Sequence, residues 1–162
     1  MFLLDTELLL DLRRGAAGGA PPGLIGWAGS GARQRLFLAA HSLIELERGA
    51  SAARRRSSAA GTAWRNWLDE QVLPAFAGRI LPLDAAVARR QAGLDLADPR
   101  DAVLAATAIE HGLTLATYHP RAFRGAKLRT FDPRSHAAEP DADWRSAAQA
   151  SSQWLKNLFV RA

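Results

Sequence analysis

Phe2-Leu3-Leu4-Asp5-Thr6 is the stretch that decides the fold of this chain. Its three apolar residues in succession predict a short buried strand, and a helical pattern follows at once from Thr6 to Arg14. An acid between strand and helix lies at the C-terminal edge of the strand, where open α/β sheets bind ligands. The same acid also fits a helix N-cap, a position that favours Asp. This stretch alone leaves both interpretations open.

Length and composition indicate a single folded domain. The chain has 162 residues, 48% of them apolar and 23% charged, which is ordinary for a protein with a full core. It has no cysteine, which excludes disulfides and thiolate-bound zinc. No apolar run approaches the roughly 18 residues of a membrane span, and the N-terminus lacks a signal-peptide pattern. We therefore expect a cytoplasmic protein with no membrane association.

The charge balance favours a polyanionic partner. Lys and Arg number 21 against 16 Asp and Glu, which gives a net charge of +5. Nearly all of the cations are Arg, whose planar fork binds phosphate well. This balance favours nucleic acid as a partner. Codon bias is the alternative explanation, because the chain is rich in Ala, Gly and Arg together.

Strand and helix patterns alternate along the chain. After the first strand, short apolar runs predict strands at 36–40, 79–83, 113–117 and 128–131, with helical patterns between them. Such alternation favours a parallel sheet covered by helices on both faces. Right-handed crossovers then bring the C-terminal ends of all the strands to one edge.

Helix signals in the middle of the chain have definite positions. Ser42 and Glu45 match a capping box that opens a helix, and Gly49 suits its end. The stretch 98–101, Asp-Pro-Arg-Asp, is a well-formed helix start with Asp98 as its N-cap, and Asp84 can cap a helix that runs to about Leu94. Within 53–76, a helical stripe contains two tryptophans, Trp64 and Trp67, which we interpret as core packing rather than base stacking.

The pattern changes after residue 133. Residues 134–140 are polar, and from Asp141 onward apolar residues step by three and four. This spacing predicts an amphipathic C-terminal helix that packs on its own domain or on a second copy. We divide the chain into a domain of residues 1–133 and an extension of residues 134–162.

Three carboxylates share one topological position. Asp5 follows the first strand, Glu45 opens the helix after the second, and Asp101 opens the helix before the fourth. Carboxylates gathered at one edge repel each other unless a cation joins them, and hard oxygen ligands suit Mg²⁺ or Mn²⁺. Each acid also has a capping explanation, since helix N-termini attract carboxylates. Spacing alone does not distinguish a metal-binding role from a capping role for these acids.

Four segments of the chain resemble the PIN-domain ribonucleases, specifically the VapC-type toxins of bacterial toxin–antitoxin pairs. They are Phe2-Leu-Leu-Asp-Thr6, Leu43-Ile-Glu-Leu-Glu-Arg-Gly49, Asp101-Ala-Val-Leu-Ala-Ala-Thr-Ala108 and Glu110-His-Gly-Leu-Thr-Leu-Ala-Thr117. The resemblance implies a PIN-like three-layer α/β sandwich with a central parallel sheet of about five strands. It also implies metal-dependent RNA cleavage, a homodimer and a cognate VapB-type antitoxin. The metal ligands would be Asp5, Glu45 and Asp101.

One segment departs from the family pattern. The family carries a polar residue and then a fourth acid after the fourth strand, whereas here Ala122 stands in the place of the acid. His119 stands where Asn is common and faces either the site or the solvent. Thr117 is retained, and we expect it to act in catalysis by ordering a metal-bound water.

These observations lead to three hypotheses. The first is a toxin that hydrolyses RNA phosphodiester bonds with Mg²⁺ or Mn²⁺, using Asp5, Glu45, Asp101 and Thr117. The second is a PIN-like RNA- or protein-binding module whose activity is weakened or lost, as Ala122 suggests. The third is an unrelated doubly wound domain whose acids only cap helices.

Overall fold

A parallel five-stranded sheet forms the centre of the computed structural model, which describes residues 1–15, 18–30 and 32–136. Its order is β3-β2-β1-β4-β5, and every neighbouring pair is parallel. The strands are β1 (Phe2–Leu4), β2 (Leu36–Ala39), β3 (Ile80–Leu81), β4 (Thr114–Ala116) and β5 (Thr130–Phe131). The predicted strand pattern and the parallel sheet are confirmed.

Helices occupy most of the chain between the strands. They are α1 (Thr6–Arg14), α2 (Pro22–Gly29), α3 (Ala40–Arg56), α4 (Ser58–Trp67), α5 (Leu73–Ala75), α6 (Ala85–Ala92) and α7 (Pro99–Glu110). A π-helical segment, Leu68–Val72, joins α4 to α5. Short 3₁₀ segments span Ala32–Arg35, Pro120–Ala126 and Pro133–Ser135.

The central strand β1 explains the three layers. It pairs with β2 along one edge and with β4 along the other, so it lies inside the parallel sheet. Strands inside a parallel sheet are buried on both faces. Leu4 packs into a core cluster with residues of α1, α2 and α4, whereas Leu3 packs into a second cluster with residues of α7. Successive side chains of a strand point to opposite faces. Helices therefore cover both faces of the sheet, as predicted.

The capping box predicted at Ser42 is wrong. Helix α3 begins at Ala40, directly after β2, so Ser42 lies inside its first turn and its buried hydroxyl has no hydrogen-bond partner among the described residues. Gly49 is not a helix end either, since α3 continues to Arg56. A Cβ at Gly49 would lie 2.5 Å from Cζ2 of Trp64. The glycine therefore serves close packing of two helices rather than helix termination.

Other local predictions hold. The side chain of Asp84 accepts a hydrogen bond from the Val87 amide and caps α6, and Asp98 caps α7 through the Arg100 amide.

The predicted helix within 53–76 is interrupted at Ser57, whose side chain caps α4. The amphipathic helix predicted from residue 141 lies outside the described residues, and the domain boundary at 133 stays a prediction. In the described ranges, no helix is both long and apolar enough to span a bilayer.

Candidate functional site

A cavity of about 380 Å³ opens at the C-terminal edge of the sheet. The three acids that the sequence singled out, Asp5, Glu45 and Asp101, all line it. The topology has therefore brought together carboxylates that are far apart in the chain. The other charged or titratable side chains around it are Glu7, His41, Asp98, Arg100 and His119.

Asp5 is the most enclosed of these acids. Its amide donates to the carbonyl of Ala116 at 3.0 Å, which continues the pairing of β1 with β4 by one residue. Its Oδ2 accepts a hydrogen bond of 2.6 Å from Oγ1 of Thr117. Burial raises the pKa of Asp5, the Thr117 bond opposes the rise, and the charges of Glu7 and Glu45 add to it. Keeping Asp5 ionised therefore costs free energy in the protein alone.

Asp5 also occupies the N-cap position of α1. Within the described part of the chain its carboxylate makes no capping hydrogen bond of ordinary geometry, although the Glu7 amide at the start of α1 lowers its pKa. The carboxylate accepts its 2.6 Å bond from Thr117 and lines the cavity. The helix start and the cavity therefore both act on Asp5, and a capping role does not exclude a role in the site.

Glu45 projects from the second turn of α3. Its Oε2 accepts a short hydrogen bond from the hydroxyl of Thr6, which is the first residue of α1. Oε1 lies 4.0 Å from Nε2 of His41, one turn earlier on the same helix. The bond from Thr6 ties the start of α1 to α3, so the acids that follow β1 and β2 stand next to one another.

Asp101 belongs to a third element, the first turn of α7. Its pKa is raised by burial and then by the charges of Asp98 and Asp5, with Arg100 and the imidazole of His119 opposing the rise. Asp98 accepts hydrogen bonds from the amide of Arg100 at 2.8 Å and from its guanidinium at 2.7 Å. This pairing holds an exposed arginine at the rim of the cavity.

Thr117 stands behind Asp5 rather than in the cavity. It is fully buried, and besides donating to Asp5 its Oγ1 accepts from the amide of His119 at 3.1 Å. The geometry makes it a residue that positions Asp5. The expected role in ordering a metal-bound water remains a prediction.

The segment after β4 carries the departure from the family pattern. Ala122 is exposed in the 3₁₀ segment Pro120–Ala126 and is not among the described residues that line the cavity. His119 does line it, and its Nε2 lies 2.9 Å from Oε2 of Glu7. The side chain of His119 is 64% exposed, so His119 is a surface residue that also borders the cavity, and both alternatives apply to it.

Sequence reasoning missed Glu7 and Arg100 as members of the site. Glu7 had a signal, since it is an acid in the first turn of α1, two residues after Asp5. Arg100 had one too, since it lies between Asp98 and Asp101. Neither signal stood out, because acids at helix starts and exposed arginines are common for reasons unrelated to function.

The donor set suits a hard cation. In the ranges that the structure describes, no three Asp, Glu or His side chains stand close enough to form a ready-made metal cluster. Mg²⁺ does not need one, because it binds through one or two carboxylates and keeps several waters. Two carboxyls with raised pKa values, Asp5 and Asp101, supply the unbalanced negative charge that such an ion would relieve.

The model of the PIN domain family matches residues 3–128. VapC ribonuclease Y4jK of Sinorhizobium fredii is 31% identical over 144 residues, which cover 82% of this chain and 97% of the relative. Toxin FitB of Neisseria gonorrhoeae is 31% identical over 142 residues, with 82% and 98% covered.

Solved structures agree with these sequence relatives. FitAcB from Neisseria gonorrhoeae has a TM-score of 0.73 at 30% identity, covering 82% of this chain and 98% of the other. FitAB bound to an IR36 DNA fragment also has a TM-score of 0.73, at 27% identity, with 83% and 96% covered.

Proposed function

Because this chain belongs to the PIN domain family, we propose that it is the toxin of a toxin–antitoxin pair and hydrolyses RNA phosphodiester bonds with Mg²⁺ or Mn²⁺. The observation that carries the proposal is the convergence of Asp5, Glu45 and Asp101, from three separate elements, on one cavity. Similarity to a VapC ribonuclease and to toxin FitB supports a nuclease of this class.

The residues of the cavity have distinct proposed tasks. Asp5, Glu45 and Asp101 would hold the divalent ion together with its bound waters, and the ion would supply water activation and charge stabilisation for phosphoryl transfer. Thr117 keeps the Asp5 carboxylate oriented through its 2.6 Å hydrogen bond. Arg100, held at the rim by Asp98, binds a phosphate of the RNA backbone through its guanidinium.

The test is an RNA digestion with and without EDTA. Wild type should cleave single-stranded RNA in Mg²⁺ or Mn²⁺, while EDTA and Asp5→Ala should each abolish cleavage. Glu70→Ala is a matched control, since it removes an exposed acid that does not line the cavity. Intact RNA after incubation of the wild type with Mn²⁺ would contradict the proposal.

We propose two protein partners. The first is a cognate VapB-type antitoxin, which similarity to toxin FitB and to the FitAB complex supports.

The second is another copy of this chain, in a homodimer. On α3, Ile44 is 45% exposed beside the partly buried Leu43, which offers an apolar contact. Light scattering of the wild type and of Ile44→Arg tests the dimer, because the variant should shift it towards monomer.

A weakened or inactive RNA- or protein-binding module is the second candidate function. Two observations favour it: Ala122 in place of a fourth acid, and the lack of a ready-made metal cluster in the described residues. Calorimetry with Mn²⁺ separates the candidates, because the nuclease requires binding at the cavity. No heat of binding in the wild type would favour the inactive module.

A further inference from the structure

The cavity has an apolar end as well as an acidic one. Leu10, Leu46, Gly49 and Trp64 line it together with the carboxylates. Gly49 follows Glu45 by four residues on α3, and Leu10 follows Thr6 by four residues on α1. Four residues of α-helix rise about 6 Å. The apolar surface therefore adjoins the acids at Leu46, and it extends by one helical turn to Gly49 on α3 and to Leu10 on α1.

The indole ring of Trp64 is held in a defined orientation. Its benzo edge occupies the space beside Gly49 where any other residue would place a Cβ. Trp67 packs edge-to-face against it, with ring centroids 6.1 Å apart and planes at 85°. The guanidinium carbon of Arg13 lies 4.2 Å from the ring centroid. A ring fixed on three sides loses little conformational freedom when a ligand packs on it.

Trp64 differs from Trp67 in two respects. Trp67 is buried in the core, whereas Trp64 is only partly buried and lines the cavity. The Nε1–H of Trp64 is buried, and in the described part of the chain it has no hydrogen-bond partner. A buried donor without an acceptor is costly, and buried Trp N–H groups usually find one. The ring thus offers a partly exposed apolar surface to the cavity, while its donor is enclosed by the protein.

We propose that Trp64 is a base-binding subsite, on which a nucleobase next to the cleaved phosphodiester stacks. This inference rests on the proposed nuclease function. A strand whose phosphate lies at the acids must continue along the cavity, and its next base meets Leu10 and Trp64. Nucleobases have the π-face that stacks on aromatic side chains. The proposal adds a ligand contact to the core packing that was predicted for Trp64 and that its partly buried ring makes.

Binding of a fluorescein-labelled single-stranded RNA, followed by anisotropy in an Asp5→Asn background, tests the subsite without cleavage. Trp64→Leu should weaken binding by about 5- to 100-fold, the range expected for loss of one stacked base. Trp64→Phe, which retains a ring, should keep most of the affinity. Trp27→Phe is the matched control and should bind as the parent does, because Trp27 packs against Phe2 and Phe131 and does not line the cavity in the described residues.

An abasic substitution moved along the RNA locates the stacked base. At one position it should weaken binding to the parent as much as Trp64→Leu does, and it should have no further effect on that variant. Gly49→Ala gives a second route, since its added Cβ displaces the ring without removing it. Melting temperatures of all variants identify any loss that comes from unfolding.

The outcomes separate this proposal from the function on which it rests. If folded Trp64→Leu binds RNA as tightly as its parent does, the subsite is overturned even if the wild type cleaves RNA. The apolar end of the cavity would then be a contact for a protein partner. A Trp64-dependent base contact in a protein that never cleaves RNA supports the subsite and refutes the nuclease. No RNA binding by any variant overturns the subsite.

Discussion

Removing the Thr117 hydroxyl should destabilise the protein through Asp5. Thr117→Val keeps the branched shape of the side chain but leaves Oδ2 of Asp5 without its 2.6 Å donor. A hydrogen bond to a charged group is worth about 1.5–3 kcal/mol. In a chain of this size, 1 kcal/mol corresponds to roughly 2–4 °C in melting temperature. We therefore expect the variant to melt about 3–12 °C lower at neutral pH in EDTA.

The assay is a double-mutant cycle measured by thermal and urea unfolding. Thr117→Val is measured in the wild type and in Asp5→Ala, where the bond no longer exists and most of the loss should disappear. Thr107→Val is the matched control, because this buried hydroxyl donates to the carbonyl of Val103 at 2.8 Å inside α7. Its smaller loss should be the same in both backgrounds.

The result that refutes the reasoning is equal destabilisation by Thr117→Val whether or not Asp5 is present. The two residues would then not be coupled, and Thr117 could not act by positioning the carboxylate. If the coupling is found, the same variant should lower metal affinity or RNA cleavage by about 10- to 100-fold, as loss of a supporting partner of a metal ligand typically does.

Four further predictions follow from the burial of two side chains and from single contacts. Asp5→Asn in EDTA should raise the melting temperature at neutral pH, and the gain should vanish as the pH falls through the ordinary Asp range near about 4. The reason is that burial raises the pKa of Asp5, so the folded protein loses stability as this group ionises; a gain independent of pH would contradict it. Tyr118 is the one tyrosine in the sequence, and burial raises its pKa to about 12, so an absorbance titration should show ionisation there rather than near about 10. Tyr118→Phe should cost about 1–3 kcal/mol by leaving the buried Asp11 without its 2.9 Å donor, and unchanged urea unfolding would exclude that role. Gly49→Ala should lower stability by about 1 kcal/mol despite better helix propensity, because its Cβ would overlap the Trp64 ring; a more stable variant would show that the ring moves freely.

Local signals in the sequence predicted the frame of the fold. The continuous apolar run of β1 indicates a strand covered on both faces, and the alternation of patterns indicates a parallel sheet. Asp84 and Asp98 were read correctly as caps, because a cap depends on residues only two or three positions away. The meeting of Asp5, Glu45 and Asp101 at one edge was predicted too, since parallel topology alone dictates it.

The remaining features were decided by contacts between distant parts of the chain. The sequence around Gly49 suggests a helix end, yet α3 continues to Arg56, and the absence of a side chain at Gly49 makes room for Trp64 of α4. The same period of three and four placed Trp64 and Trp67 on one stripe, and only the tertiary structure put one in the core and the other at the cavity. The amino-acid order thus determined which elements form and where their ends meet. How the side chains divide between core and site depended on packing across the chain, which no local pattern contains.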